Sequence, residues 1–101
     1  MRYRWKKHGE EDWDIAHTLY LILDDGKYGF AEINWYPDIE KWELFVSGFV
    51  SEEAVDIERE YELLSDAKRA AHTYMTVWWV SGAMQRMNDD EKRQWRGLGA
   101  I

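Results

Sequence analysis

Three histidines, His8, His17 and His72, are the side chains best suited to acid–base or metal chemistry in this 101-residue chain. None stands in a His-x-x-x-His or Glu-x-x-His spacing, the patterns that would put two ligands on one helix face. They read as surface histidines or as histidines satisfied within the fold. Carboxylates come in adjacent pairs, Glu10/Glu11, Asp24/Asp25 and Asp89/Asp90. Adjacent acids usually serve turns and helix caps, and Asp24/Asp25 precedes Gly26 in a hairpin signal. There is no EF-hand spacing, no phosphate-binding glycine loop and no Gly-x-Ser-x-Gly elbow. With no cysteine, disulfides and thiolate-held zinc are excluded. The sequence therefore predicts no catalytic residue, no metal and no cofactor, and a protein that is not an enzyme.

The informative chemistry lies in charge and in rings. Net charge is −7, unevenly spread: residues 1–9 carry +4, residues 10–62 carry sixteen acids against three bases, and residues 63–101 carry +2. Seven tryptophans, six tyrosines and three phenylalanines are more aromatic bulk than one small core hides easily. Some of those rings are expected at the surface, where Trp and Tyr give large contact area at low entropic cost.

The elements that must position these groups follow from periodicity. The length suits one domain, residues 1–101. Arg2, Arg4 and Lys6 alternate with Tyr3 and Trp5, which suits a short edge strand guarded by charge. His17 to Leu23 alternates cleanly as a strand, and Asp24-Asp25-Gly26-Lys27 turns it back into a second strand, Tyr28 to Trp35. Pro37 breaks that strand, and Lys41 to Phe49 forms a third. Residues 51–64 read as a short helix or an acidic loop. Ser65 then caps a long helix with its apolar stripe on Ala67, Ala70, Ala71, Tyr74, Val77, Trp78, Ser81 and Met84, ending near Asn88. Asp89 opens a last short helix through Trp95, followed by a loose tail. The expected fold is α+β: a three-stranded antiparallel meander, with a short fourth strand at its edge, covered on one face by one long C-terminal helix.

The stretch Val46-Ser47-Gly48-Phe49 after a tryptophan-bearing strand, with Leu64-Ser65-Asp66-Ala67-Lys68-Arg69-Ala70-Ala71 beyond a linker, resembles small tailed-bacteriophage accessory proteins. The resemblance covers about half the chain. It implies a viral protein of a group that includes inhibitors of host defence, such as anti-CRISPR and anti-restriction proteins, and inhibitors of host enzymes. It carries over no functional residue.

Two surfaces are the candidates for function. The first is acidic: Glu40, Glu43, Glu52, Glu53, Asp56, Glu58, Glu60 and Glu62 could imitate a phosphate backbone and fill a basic groove on a bacterial protein. The alternative is a solvated face that aids solubility. The second is aromatic. If Leu19, Leu21, Ile33, Leu44 and Val46 face the helix, then Tyr20, Ile22, Tyr28, Phe30, Phe45 and Phe49 face away from it, with Trp79 at the helix edge. Either Trp5 and Trp13 cover that face, or it binds a partner or a second copy. Direct nucleic-acid binding is disfavoured by the net −13 of residues 10–62, although the cations of residues 1–7 keep it open. No apolar run is long enough for a membrane span or a signal peptide, so a cytoplasmic protein is expected, in the host cytoplasm if it is viral. The leading expectation is a binding protein that inhibits or redirects a bacterial nucleic-acid-handling protein. A homo-oligomeric scaffold is the alternative.

Overall fold

The computed structural model describes residues 1–11, 14–50 and 58–99. Among them the chain forms five strands and three helices: β1 (Arg2–His8), β2 (Ala16–Leu23), β3 (Gly26–Tyr36), β4 (Lys41–Val46), β5 (Glu60–Tyr61), α1 (Leu64–Val80), α2 (Ala83–Arg86) and α3 (Asp89–Gly99). The strands pair antiparallel in sequence order, β1-β2-β3-β4-β5, as one meander. The α+β class stands. The edge strand expected at the N-terminus is present and runs seven residues, and a fifth strand, β5, replaces part of the predicted helix or acidic loop. Residues 51–57 of that loop lie outside the described residues, as does Trp13.

One irregularity decides which side chains form the core. Tyr20 pairs with Gly29 while Leu19 pairs with Ala31, so Phe30 is an extra residue on β3, a β-bulge. Simple alternation puts Tyr28 and Phe30 opposite Ala31 and Ile33. The bulge brings all four to one face, where Tyr28, Phe30 and Ile33 are fully buried and Ala31 almost so. Tyr28 and Phe30 therefore belong to the helix-covered core and not to the opposite face that the sequence predicted for them.

Two helices cover that face. From α1, Ala67, Ala71, Tyr74, Met75 and Trp78 are buried, the small alanines allowing close approach as the spacing predicts. Val77, expected in this stripe, is exposed. The second helix is α3, whose Trp95 is fully buried. Its ring meets Tyr28 at 5.0 Å and Trp78 at 5.5 Å, both edge-on, and its Nε1 donates to the Gly29 carbonyl at 2.8 Å. Edge-to-face pairs of this kind add roughly 0.5–1.5 kcal/mol each beyond burial. The chain turns after Val46, earlier than predicted, with Val50 N donating to the Ser47 carbonyl at 2.9 Å. That turn folds Phe49 beneath the sheet, stacked 6.3 Å from Trp95.

Helix boundaries shift for identifiable reasons. Leu63, in extended conformation, is the N-cap of α1, and Ser65 lies in its first turn without capping it. The helix stops at Val80, well short of Asn88, because Gly82 takes the left-handed conformation (φ 77°) and its N–H returns to the Trp79 carbonyl at 3.1 Å. Asn88 begins α3 instead of ending a helix: its Oδ1 accepts from Glu91 N at 2.8 Å while Glu91 Oε1 accepts from Asn88 N at 3.2 Å. This reciprocal box satisfies two amides that would otherwise be orphaned. The helix runs on to Gly99, through the residues expected as tail.

The β2–β3 turn shows why Gly26 is needed. Its φ is 144°, and a Cβ there would lie 2.7 Å from the Arg96 side chain. Arg96 spans back to the turn, donating to the Asp25 carbonyl at 3.2 Å and pairing with its carboxylate at 3.6 Å. No helix among the described residues is long and apolar enough to cross a membrane.

Candidate functional site

Two of the histidines, His72 and His17, are structural participants. His72 on α1 accepts a hydrogen bond at Nε2 from Trp5 Nε1 at 2.9 Å, and Tyr3 meets its ring edge-on at 4.4 Å. Acceptance at Nε2 requires the neutral ring, and burial followed by the Lys68 charge holds its pKa below the ordinary histidine value. Trp5 thus faces the helix layer, with Lys68 Nζ 5.1 Å over its ring, and does not cover the opposite face. His17 is buried beside Trp42, and burial, then Lys68, Lys7 and His8, also lower its pKa. Among the described residues no group of three His, Cys, Asp or Glu side chains could hold a metal ion.

The sheet face away from the helices carries the remaining chemistry. Cross-strand partners share a face, so the register lays it out in rows. The first row is Arg2, Ile22 and Lys27; the second is Arg4, Tyr20 and Gly29. The third is Lys6, Thr18, Glu32 and Phe45; the fourth is His8, Ala16, Asn34, Glu43 and Glu60. Tyr36 and Lys41 close the series. We call this the open face.

Of the aromatic residues the sequence assigned to this face, Tyr20 and Phe45 are on it. Phe45 is 37 % exposed, whereas Tyr20 is buried, with Lys27 Nζ 4.7 Å over its ring. Tyr28 and Phe30 are withdrawn into the core by the bulge. Phe49 lies under the sheet against Trp95, and Trp79 belongs to the helix layer, half-buried against the core. Where the bulge leaves only Gly29 opposite Tyr20, the face dips into a shallow groove of about 480 Å³ between His8, Thr18, Tyr20, Glu32 and Phe45.

The acids gather at the other end of the face. Glu43 and Glu60 are direct partners across β4 and β5, and Glu32 sits one row away beside Phe45. Glu40 is at the β3–β4 turn with φ 51°, the one left-handed non-glycine among the described residues. Glu58 and Glu62 flank β5, Glu62 lying 3.9 Å from Lys41. Glu52, Glu53 and Asp56 fall outside the described residues. The sequence reading missed Arg2, Arg4, Lys6 and Lys27 as members of the same face, although the alternation of Arg2, Arg4 and Lys6 was visible. Glu32 was missed as well.

The fold and this face define a class: a five-stranded antiparallel meander with one face sealed by helices and the other open, aromatic and divided by charge. No family model, no curated protein and no solved structure matches the chain.

Proposed function

We propose that this is a non-enzymatic binding protein that docks a basic protein partner on the acidic, aromatic-flanked half of its open face. The supporting observation is that acids occupy positions where they cost stability. Glu43 directly opposes Glu60, a like-charge pair that is unfavourable in a sheet. Glu40 holds a left-handed conformation that costs a side-chain-bearing residue about 1–2 kcal/mol and glycine almost nothing. Solubility alone calls for acids anywhere on the surface, not at these two places. A cationic partner relieves both repulsion and unpaired charge, and Phe45 with the Tyr20 groove supplies apolar anchoring beside them.

Acids ranged along an edge suit a partner that ordinarily holds nucleic acid, so the proposed role is inhibition or redirection of a bacterial nucleic-acid-handling protein. That role accords with the phage-like sequence features around Val46 and Ala67. The experiment is retrieval of partners from bacterial lysate by the tagged protein and by its Glu43→Lys/Glu60→Lys variant, followed by displacement of labelled DNA from the purified partner. Stoichiometric retention of one nucleic-acid-binding protein by the wild type, lost in the variant, supports the proposal. Equal retention by both refutes the acidic docking face.

A further inference from the structure

The open face is itself the two halves of a complementary pair. Arg2, Arg4, Lys6 and Lys27 occupy the corner formed by β1 and the β2–β3 turn. Glu32, Glu43 and Glu60 occupy the diagonally opposite corner, on β3, β4 and β5. The inner members, Lys6 and Glu32, share a row two strands apart at roughly 10 Å, but Arg2, Arg4 and Lys27 cannot reach Glu43 or Glu60 within one chain. Strands lie about 4.8 Å apart and rows about 7 Å apart, so Arg4 and Glu43, three strands and two rows removed, are roughly 20 Å distant. That is more than twice the distance over which salt screens charge at physiological strength, about 8 Å.

We propose that the open face takes a second copy of this chain, related by a two-fold axis lying in the plane of the face between the two charged corners. Such an axis lays each copy's cationic corner over the other's acidic corner, so every like-charge cluster gains an opposite partner twice over. An isologous contact needs this self-complementarity, and closed two-fold dimers are the commonest assembly that exploits it. Because the corners are diagonal, the two sheets cross steeply, as in orthogonal sheet packing. The tyrosine groove and Phe45 lie between the corners and form the apolar centre. Lys41, already paired with Glu62, stays at the periphery.

The rows and strands above span roughly 600 Å² of flat sheet per copy, at the low end of what specific interfaces bury. The dimer is therefore reversible and salt-sensitive. Single-stranded nucleic acid, the other occupant that arginines beside an aromatic sheet could hold, would place phosphates against Glu32 and Glu43 at the far corner. A second copy satisfies both corners; a nucleic acid satisfies one. This inference rests on the proposed acidic docking face and adds a consequence. Glu43 and Glu60 are occupied in the dimer, so self-association and the basic partner compete, and the monomer is the form that binds.

Charge reversal tests it on the whole chain. Wild type is examined by sedimentation in low salt and in about 1 M salt, where screening shortens to about 3 Å. Beside it are Arg2→Glu/Arg4→Glu and Glu43→Lys/Glu60→Lys, each checked for fold by circular dichroism. The expected result is a dimer in low salt that dissociates in high salt, two variants that are monomeric alone, and recovery of a heterodimer when the variants are mixed equally. A wild type that stays monomeric at the highest attainable concentration in low salt overturns the proposal whether or not the variants fold. So do variants that still self-associate, or tight, salt-sensitive binding of a single-stranded oligonucleotide that Arg2→Glu/Arg4→Glu abolishes. The Arg variant keeps its acidic corner, so it should retain or improve partner retrieval. Loss of the dimer and loss of the partner are thereby read separately.

Discussion

The two faces of the sheet are built from neighbouring residues on the same strands, yet they solve opposite problems. The covered face buries Leu19, Leu21, Tyr28, Phe30, Ile33 and Leu44 under α1 and α3, and its polar atoms are matched: Trp95 to Gly29, Tyr28 to Asp25, Trp5 to His72. The open face leaves Phe45 at the surface, sets Glu43 against Glu60 and gathers four cations out of reach of them. A stable core accounts for the first arrangement, and the proposed contact surface accounts for the second. Stability is optimised on the covered face and yielded on the open one, a pattern expected of functional sites.

On the covered face the largest effect is expected at Trp95. Trp95→Ala should cost about 3–5 kcal/mol, since it removes a fully buried ring and its hydrogen bond to the Gly29 carbonyl. Urea unfolding measures it, and a loss under about 1 kcal/mol would mean that α3 is not part of the core.

Next is the buried hydroxyl of Tyr28, which donates to Asp25 at 2.7 Å and whose pKa is pushed up to about 12 by burial, then by that hydrogen bond and the Asp25 charge. A raised folded value means the hydroxyl's contribution is intact below pH about 10 and is lost as pH climbs from there towards about 12. Tyr28→Phe should cost about 1 kcal/mol at neutral pH and show a smaller alkaline decline than wild type. Parallel alkaline curves for the two proteins would contradict this.

At the acid end the sign reverses. His72 and His17 have lowered folded values, so their contribution is complete above the ordinary histidine pKa of 6.5 and is lost as pH falls below it. Stability should decline on acidification through that range, and His72→Gln should reduce the decline. An unchanged decline would assign it to other groups.

The smallest effects are expected on the open face. Glu43→Lys, which replaces a like-charge pair by an opposite one, should stabilise by a few tenths of a kcal/mol. Glu40→Gly should stabilise by up to about 1 kcal/mol. Both are expected to weaken partner retrieval. If either destabilises the fold, its acid is there for structure.

Much of this was legible in the sequence. The alternation of residues 17–23, the Asp-Asp-Gly turn and the alanine stripe of α1 predicted the central meander and its helix, because each is a local pattern. The bulge at Phe30 has no such signature. It is set by how β3 must curve to place Tyr28 and Phe30 against Trp78 and Trp95, a tertiary demand, and it moved two predicted surface rings into the core. The strand β5 was hidden for a similar reason: two residues, Glu60 and Tyr61, carry no period, and only pairing with Trp42 and Glu43 makes them a strand. The acids Glu43 and Glu60 were picked out by composition, but their direct opposition, which gives them meaning, is a property of register.

The open face, and not the helix layer, is the proposed contact surface of the protein. Dilution of isotope-labelled protein in low salt, followed by amide NMR, tests it most directly. Concentration-dependent shifts are expected at Arg4, Tyr20, Glu32 and Phe45, abolished by high salt, with Thr73, Thr76 and Val80 on α1 unmoved. Shifts confined to α1, or a spectrum that does not change with concentration in low salt, would contradict it.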